Sequence, residues 1–324
     1  MSRATYLTDL SDAEYACLAP YLPPARPRGR PRLRPVREIL DAIYYVLRSG
    51  CQWRLLPAEF PPWRTVYHYF RIWRLDGTWE RIHTARRERL RVRAGRDPQP
   101  SAAIVDSQSV KTSGVGGVRG YDGAKKLSGR KRHLLVEAQG LVLRAKVHTA
   151  ALQDRAAVRL LLAGADEQFA RVRHVWVDQG YTGTGRAWIA GQLGWSVGVV
   201  RHPPKPRGVW APIGAVIDWD ALRPRGFRGV LPRRWVVERT FGWLLQSRRL
   251  SKDYERLCST SEALIYATMS RLMLRRLART SHSQTVSRGR GEGRPGDDLV
   301  APPLVTFAPG ARSAASAGRA PRRR

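Results

Sequence analysis

The chain has 324 residues, 43% of them hydrophobic and eleven of them tryptophan, which is enough for a sizeable core in one large domain or two. Lysine and arginine number 58 against 26 aspartate and glutamate, giving a formal charge of +32 and a pI near 11.4. Such an excess repels itself unless a polyanion neutralises it, so nucleic acid is the first partner expected. No stretch approaches the ~18 apolar residues of a membrane-spanning helix, and MSRATYLTDL lacks the apolar run of a leader, so no membrane is expected and the expected compartment is the cytoplasm. Cys17, Cys51 and Cys258 stand far apart with no CxxC pair, which argues against a disulfide framework or a structural zinc.

Residues 1–95 read as an all-α, helix-turn-helix-like unit. Pro35 opens a helix in which Val36, Ile39, Leu40, Ile43 and Leu47 recur at helical spacing, and Gly50 ends it. After a turn rich in proline, a second helix runs from about Trp63 to Leu75, with Val66, Tyr69, Phe70 and Trp73 as its apolar stripe. An arginine-rich helix follows around Trp79 to Val92. From about residue 100 the period changes to two. AAIVD (102–106), HLLVEA (133–138) and LVLRAKV (141–147) read as strands, the last two joined as a hairpin at Gln139-Gly140. Leu152 to Leu162 reads as a helix, HVWVD (174–178) as a strand, Arg186 to Leu193 as a helix and WSVGVV (195–200) as a strand. This alternation after a hairpin indicates a mixed α/β sheet flanked by helices over residues 96–280. Residues 203–230 read as a long loop. Helices follow from Pro232 to about Arg249 and from Ser259, where Glu262 completes a capping-box pattern. Residues 281–324 have the composition of a disordered basic tail.

Three carboxylates stand out against the basic background. Asp106 and Asp178 each end an apolar run, and Gly180, Tyr181 and Gly183 put a tight turn after the second. Glu238 is crowded by Val236, Val237 and Phe241, so it needs a partner, either Arg234 one turn earlier or a metal. Mg²⁺ takes hard oxygen ligands and keeps several waters, so one or two carboxylates per ion plus substrate phosphate suffice. A pair of such ions suits phosphodiester chemistry. Two strand aspartates and a helix glutamate on a mixed sheet are what a ribonuclease-H-like nuclease fold requires.

The stretches GCQWRLLPAEFPPWRTVYHYFRIWRLDGTWERI (50–82), VDSQSVKT (105–112), RGYDGAKKLSGRKRHLLVEAQGLVL (119–143), LQDR (152–155), VDQGYTG (177–183) and RWVVERTFGWL (234–244) resemble bacterial insertion-sequence transposases of the DDE type, in particular the insertion-sequence-five group. The resemblance runs from about Leu10 to Arg279. It implies that Asp106, Asp178 and Glu238 are the catalytic and metal-binding triad, holding two Mg²⁺ for which Mn²⁺ substitutes. Arg234 falls on the arginine four residues before the family's glutamate. The function implied is binding of element ends, DNA cleavage, and joining of the 3′-hydroxyl ends to target DNA, with a homodimer or higher oligomer on DNA and a place at the bacterial nucleoid. Leu231 and Leu245 stand where the wider superfamily often has tyrosine and lysine, leaving Arg239, Arg248, Arg249 or Lys252 as candidate replacements.

The basic residues supply candidate DNA contacts. Arg28-Gly29-Arg30-Pro31, within a run of alternating arginine and proline, resembles an AT-hook. Arg64, His68, Arg71 and Arg74 share the polar side of the second helix, which suits reading of base edges. Arg119, Lys125, Lys126, Arg130, Lys131 and Arg132 lie between the first aspartate-bearing strand and the hairpin, where they are expected to border the site and contact phosphates. His133 and His148 flank strands near the same place. Three other readings stay open: a catalytically inactive transposase-derived repressor, a basic RNA-binding protein, and a sequence-tolerant nuclease.

Overall fold

The computed structural model describes residues 5–24, 32–200, 216 and 234–287, with the backbone alone for 234 and 280–287. The chain begins with α1 (Asp12–Leu18), whose first turn is closed by a reciprocal pair: Ser11 accepts from the Glu14 amide while Glu14 accepts from the Ser11 amide. Helix α2 (Val36–Ser49) buries Ile39, Leu40, Ile43 and Leu47 on one side and stops at Gly50 in the left-handed conformation. Helices α3 (Trp63–Leu75) and α4 (Thr78–Arg93) follow, with Val66, Phe70, Trp73 and Trp79 buried and Trp53 and Trp63 only partly so. Each fully buried aliphatic or phenyl side chain here is worth about 1.5–3 kcal/mol of transfer free energy.

The sheet is built from β1 (Ala102–Lys111), β2 (Gly120–Asp122), β3 (Leu127–Glu137), β4 (Val142–Thr149), β5 (His174–Asp178) and β6 (Ser196–Val200). Strand β3 runs antiparallel between β1 and β4 and also pairs with β2, while β1, β5 and β6 are mutually parallel. The β3–β4 connection turns at Gly140, whose φ of 84° only glycine adopts cheaply, as the Gln139-Gly140 pair predicts. Between the parallel strands lie α5 (Asp154–Leu162), the single-turn α6 (Ala165–Gln168) and α7 (Thr184–Leu193). The chain closes with α8 (Arg234–Leu245) and α9 (Cys258–Ser287).

Side-chain alternation divides the strands between two cores. Ala103, Val105, Leu135, Val175 and Val177 pack with Val158, Leu161, Phe169 and Ile189 of the α5–α7 layer. Ile104, Leu134 and Val136 pack on the other face with Val237 and Phe241 of α8 and Ile265 and Met269 of α9. The same cluster takes in Leu40, Ile43, Phe70 and Trp79, so α2–α4 share a core with α9. Burial on both faces explains why the strands read as unbroken apolar runs.

Four sequence expectations are corrected. Strand β1 continues to Lys111, so Asp106 lies inside a strand and does not close one. Strand β3 starts at Leu127, so Arg130, Lys131 and Arg132 are strand residues and not part of a connecting loop. Glu262 does not cap its own helix: its carboxylate accepts the Val147 amide at 2.9 Å and pairs with Lys146 at 3.5 Å, tying α9 to β4. Helix α9 runs to Ser287, past Ser281. Arg28, Arg30, the expected 203–230 loop (residue 216 apart) and 288–324 lie outside the described residues.

Candidate active site

Strand pairing brings the two aspartates to the same end of the sheet. The parallel β1–β5 ladder ends at the pair Ile104–Trp176, and Asp106 and Asp178 each lie two residues beyond it on their own strands; the charges of both act on the Tyr181 hydroxyl. By the same period of two, Asp106 shares a face with Ile104 and Asp178 with Trp176. Both of those belong to the core on which α8 packs. Glu238 is exposed on α8, next to the buried Val237. The helix is fastened over the hairpin turn: the Thr240 hydroxyl donates to the Gly140 carbonyl at 2.7 Å and Arg239 donates to the Gln139 carbonyl at 2.8 Å. A side chain at Gly140 would meet the Thr240 hydroxyl at 2.8 Å, so the turn must be glycine for α8 to sit there.

The carboxylates are oriented locally. Asp106 accepts from the Ser107 amide at 2.7 Å, and Asp178 accepts from the Gly180 amide at 2.8 Å, closing the 3₁₀ turn that follows β5. A fourth acid, Asp154 at the start of α5, borders them. A Cβ placed on Gly180 would lie 3.0 Å from Asp178 Oδ1 and 3.4 Å from Asp154 Oδ2. Asp154 accepts from the Ser107 hydroxyl at 2.8 Å and pairs with Lys131 Nζ at 3.0 Å, while Lys131 also donates to the Leu152 carbonyl at 3.0 Å. These contacts fix the backbone of β1 beside Asp106. They line a polar groove of about 530 Å³, to which Lys125, Arg155 and Gly180 also contribute.

Beneath the aspartates runs a buried chain of polar groups. Tyr181 bonds His133 Nε2, His133 Nδ1 lies 3.2 Å from His148 Nε2, and His148 Nδ1 lies 2.9 Å from the Thr149 carbonyl. A carbonyl only accepts, so His148 carries its proton on Nδ1 and accepts at Nε2. Burial, then the neighbouring His148 and Lys131, hold His133 well below the ordinary imidazole range, and burial lowers His148 too. With both rings neutral, His133 donates from Nδ1 and accepts at Nε2, which makes Tyr181 a donor. Burial, together with the negative charges of Asp106, Asp154 and Asp178, pushes the Tyr181 hydroxyl well above the ordinary phenol range, so it keeps its proton. The two histidines are therefore occupied as structural groups.

A family model described as a transposase DDE domain matches residues 97–273, the span that holds both aspartates, the hairpin and α8. The chain belongs to the DDE transposases. A second model, "Putative transposase of IS4/5 family", matches residues 10–83. The chain is 35% identical over 114 residues to "Insertion element IS402 uncharacterized 16.2 kDa protein" of Burkholderia cepacia, covering 33% of this chain and 76% of that protein. No solved structure matches. The transposase is thus of the insertion-sequence-four type, a class of DNA-cleaving and DNA-transferring enzymes that generally use divalent metal ions.

The donor set fits hard divalent ions. It consists of carboxylate oxygens without thiolate, and the nearby imidazoles are committed to each other. Among the described residues no group of three His, Cys, Asp or Glu side chains is placed to hold one ion. Carboxylate donors of this kind suit Mg²⁺ or Mn²⁺ completed by water and phosphate oxygens.

The basic candidates divide into two sets. Arg64, His68, Arg71, Arg119, Lys125 and Lys126 of the transposase are exposed, and Arg74 is partly covered, donating to the Ser259 hydroxyl at 2.6 Å. Arg130 and Arg132 are fully buried and correct the expectation of phosphate contacts. Arg130 pairs with Asp253 at 3.0 Å and donates to the carbonyls of Val118, Glu255 and Arg256. Arg132 donates to those of Leu250 and Lys252. Strand alternation points both guanidinium groups at the 250–256 segment, where they satisfy carbonyls that no sheet pairs. Lys131, on the opposite face, is held by Asp154. Of the candidate replacements after Glu238, Arg249 is buried against Glu255 at 2.6 Å, Arg239 sits between Trp235 and Trp243, and Arg248 and Lys252 are exposed. The Arg234 side chain lies outside the described residues. Sequence reasoning gave Asp154, Ser107 and Tyr181 no role. An acid in the first turn of a helix reads as a dipole partner, and only the β1–α5 contact reveals the other use.

Proposed function

We propose that the transposase binds the ends of its own insertion element, cleaves the DNA there and joins the freed 3′-hydroxyl ends to target DNA, on a ribonuclease-H-like fold. Asp106, Asp178 and Glu238 are the carboxylates we assign to two Mg²⁺ ions, with Mn²⁺ able to substitute. When bound, such ions supply Lewis-acid polarisation of a phosphodiester and stabilise the attacking and leaving oxygens. The chain's own residues then have defined tasks. Asp106 and Asp178 offer adjacent oxygen donors from rigid strands, and α8 brings Glu238 over the same face. Ser107, Asp154 and Lys131 hold β1 in place, and protonated Tyr181 fills the space beneath without adding charge. Lys125, Arg119 and Lys126 attract the DNA backbone towards the groove, while Arg64 and Arg71 on α3 and residues 1–95 as a whole contact the element ends. Two ends must meet, so the active form is at least a dimer on DNA.

The observation that supports this reading is that Asp106 and Asp178 both follow the last β1–β5 pair, on strands against whose core α8, the helix bearing Glu238, packs, within the span matched by the DDE family. The test incubates the full chain with Mg²⁺ and DNA from the borders of its own gene, and follows nicking and strand joining. Asp106→Asn and Asp178→Asn proteins should bind that DNA yet neither cut nor join it, a loss of at least ~10³-fold. Cutting by the Asp178→Asn protein would overturn the assignment.

A further inference from the structure

A second cavity, of about 200 Å³, lies between α2, the end of α8 and α9, walled by Arg48, Arg271, Arg275, Arg276 and Arg279 and, among the described residues, by no carboxylate. Thr8, Tyr44 and Thr268 also line it, and the hydroxyl oxygen of each is buried without a hydrogen-bond partner. Tyr44 and Thr268 are only 2% and 7% exposed. Buried hydroxyls are nearly always paired, so three unpaired ones around a single void mark the void as the place where their partner belongs.

The charges indicate what that partner is. Arg271 forms a fixed wall: it donates to the Asp9 carbonyl at 2.8 Å, pairs with Glu14 of α1 at 2.6 Å and lies over the Tyr44 ring. Arg48 donates to the Gln246 carbonyl, which orders a second guanidinium at the rim. Arg275 is lowered from the ordinary guanidinium range by burial and by the like charges of Arg271, Arg48 and Arg279, with Glu14 the opposing acid. Positive groups crowded this closely attract a multiply charged anion. The hydroxyls add neutral donors on the inner side, and Trp243 and Leu47 complete an apolar wall. The volume falls below the ~300–1,000 Å³ of sites for drug-sized ligands. A tetrahedral oxyanion or a pair of them fits, whereas a whole nucleotide does not.

We propose that this cavity is a phosphate-binding site, taking an inorganic phosphate or pyrophosphate group or a backbone phosphate of DNA. The site is separate from the aspartates, and its occupancy does not rest on their chemistry.

The test is thermal unfolding of the full chain in inorganic phosphate and in pyrophosphate, at ionic strength held constant with potassium chloride. The melting temperature should rise with pyrophosphate, following the logarithmic dependence of single-site linkage once its concentration exceeds Kd. A Tyr44→Phe/Thr268→Val protein keeps the shape of the cavity but loses two donors, so its affinity should fall about tenfold or more, while its melting temperature without ligand should be unchanged or higher. Arg275→Gln with Arg279→Gln, on the exposed side, should give the same loss and guards against misfolding of the inner variant. The Asp178→Asn protein should respond like the wild type. Labelled duplex DNA separates the two sources: competition by pyrophosphate together with weaker DNA binding by the inner variant identifies a backbone phosphate, and unchanged DNA binding identifies a free one. No rise in melting temperature, or an equal response in wild type and both variants, overturns the proposal.

Discussion

Replacing Arg130 by methionine tests whether the basic run of β3 serves the fold or the DNA. The Arg130 and Asp253 side chains are both fully buried, 3.0 Å apart. Removing one partner of such a pair typically costs about 3–5 kcal/mol, because the remaining charge is left uncompensated in a poorly solvated place. Asp253 would keep the Ser261 hydroxyl at 2.8 Å and the Glu255 amide at 3.0 Å, which places the expected loss in the lower part of that range, about 3–4 kcal/mol. The carbonyls of Val118, Glu255 and Arg256 would lose their donor as well. Urea unfolding followed by tryptophan fluorescence measures the loss, and DNA binding over a salt series runs beside it. A phosphate-contacting arginine behaves in the opposite way, leaving stability within about 0.5 kcal/mol and reducing the salt slope by about 0.9. That second pattern would refute the structural role assigned to Arg130.

Further outcomes follow from other contacts. His83 is fully buried with both ring nitrogens unpartnered, and burial holds it well below the ordinary imidazole range, so wild-type stability falls as pH drops through about 6.5, where only the unfolded chain takes up the proton. His83→Phe should therefore gain about 1.3 kcal/mol more at pH 5.5 than at pH 7.5, and an equal effect at both values in urea melts would contradict the buried neutral ring. Gly117 has φ 93°, and a Cβ there would lie 2.1 Å from the Arg256 carbonyl oxygen, so Gly117→Ala should cost about 1–3 kcal/mol by the same assay. No loss would mean that this glycine does not pack on the 253–256 segment. Arg64→Gln combined with Arg71→Gln should leave unfolding unchanged and lower the salt slope of DNA binding by up to about 1.8; an unchanged slope removes α3 from the interface.

Much of the framework was legible because period and punctuation agree. The stripe of Ile39, Leu40, Ile43 and Leu47 ended by Gly50, and the Gln139-Gly140 turn between two apolar runs, leave little choice of element. The face shared by Asp106 and Asp178 follows from alternation along β1 and β5, but only pairing could show that the strands are neighbours in register. The basic run 130–132 misleads for a physical reason. Three consecutive cations look solvated, yet in a strand they alternate, and the C-terminal segment offered carbonyls to the inward pair. Glu262 misleads in the same way, since its spacing from Ser259 fits a cap while its carboxylate serves the β4 backbone. Asp154 and the Tyr181–His133–His148 chain depend on contacts across tens of residues, for which a single sequence carries no signal.

Helix α9 completes the core of helices made more than 160 residues earlier: its Arg271 holds the Thr8–Asp9 backbone, Tyr266 packs at a tilt against His83, and Arg93 reaches the Leu277 carbonyl. On a ribosome adding ~5–20 residues per second, the first helices wait roughly ten to fifty seconds for their last packing partner. During that interval the early helices close only against one another, through contacts such as Phe70 and Trp73 with Trp79, and the part of their apolar surface that α9 covers stays open, so a nascent or prematurely terminated product is a client for chaperones and proteases. Any activity that these helices carry begins only once translation has passed α9.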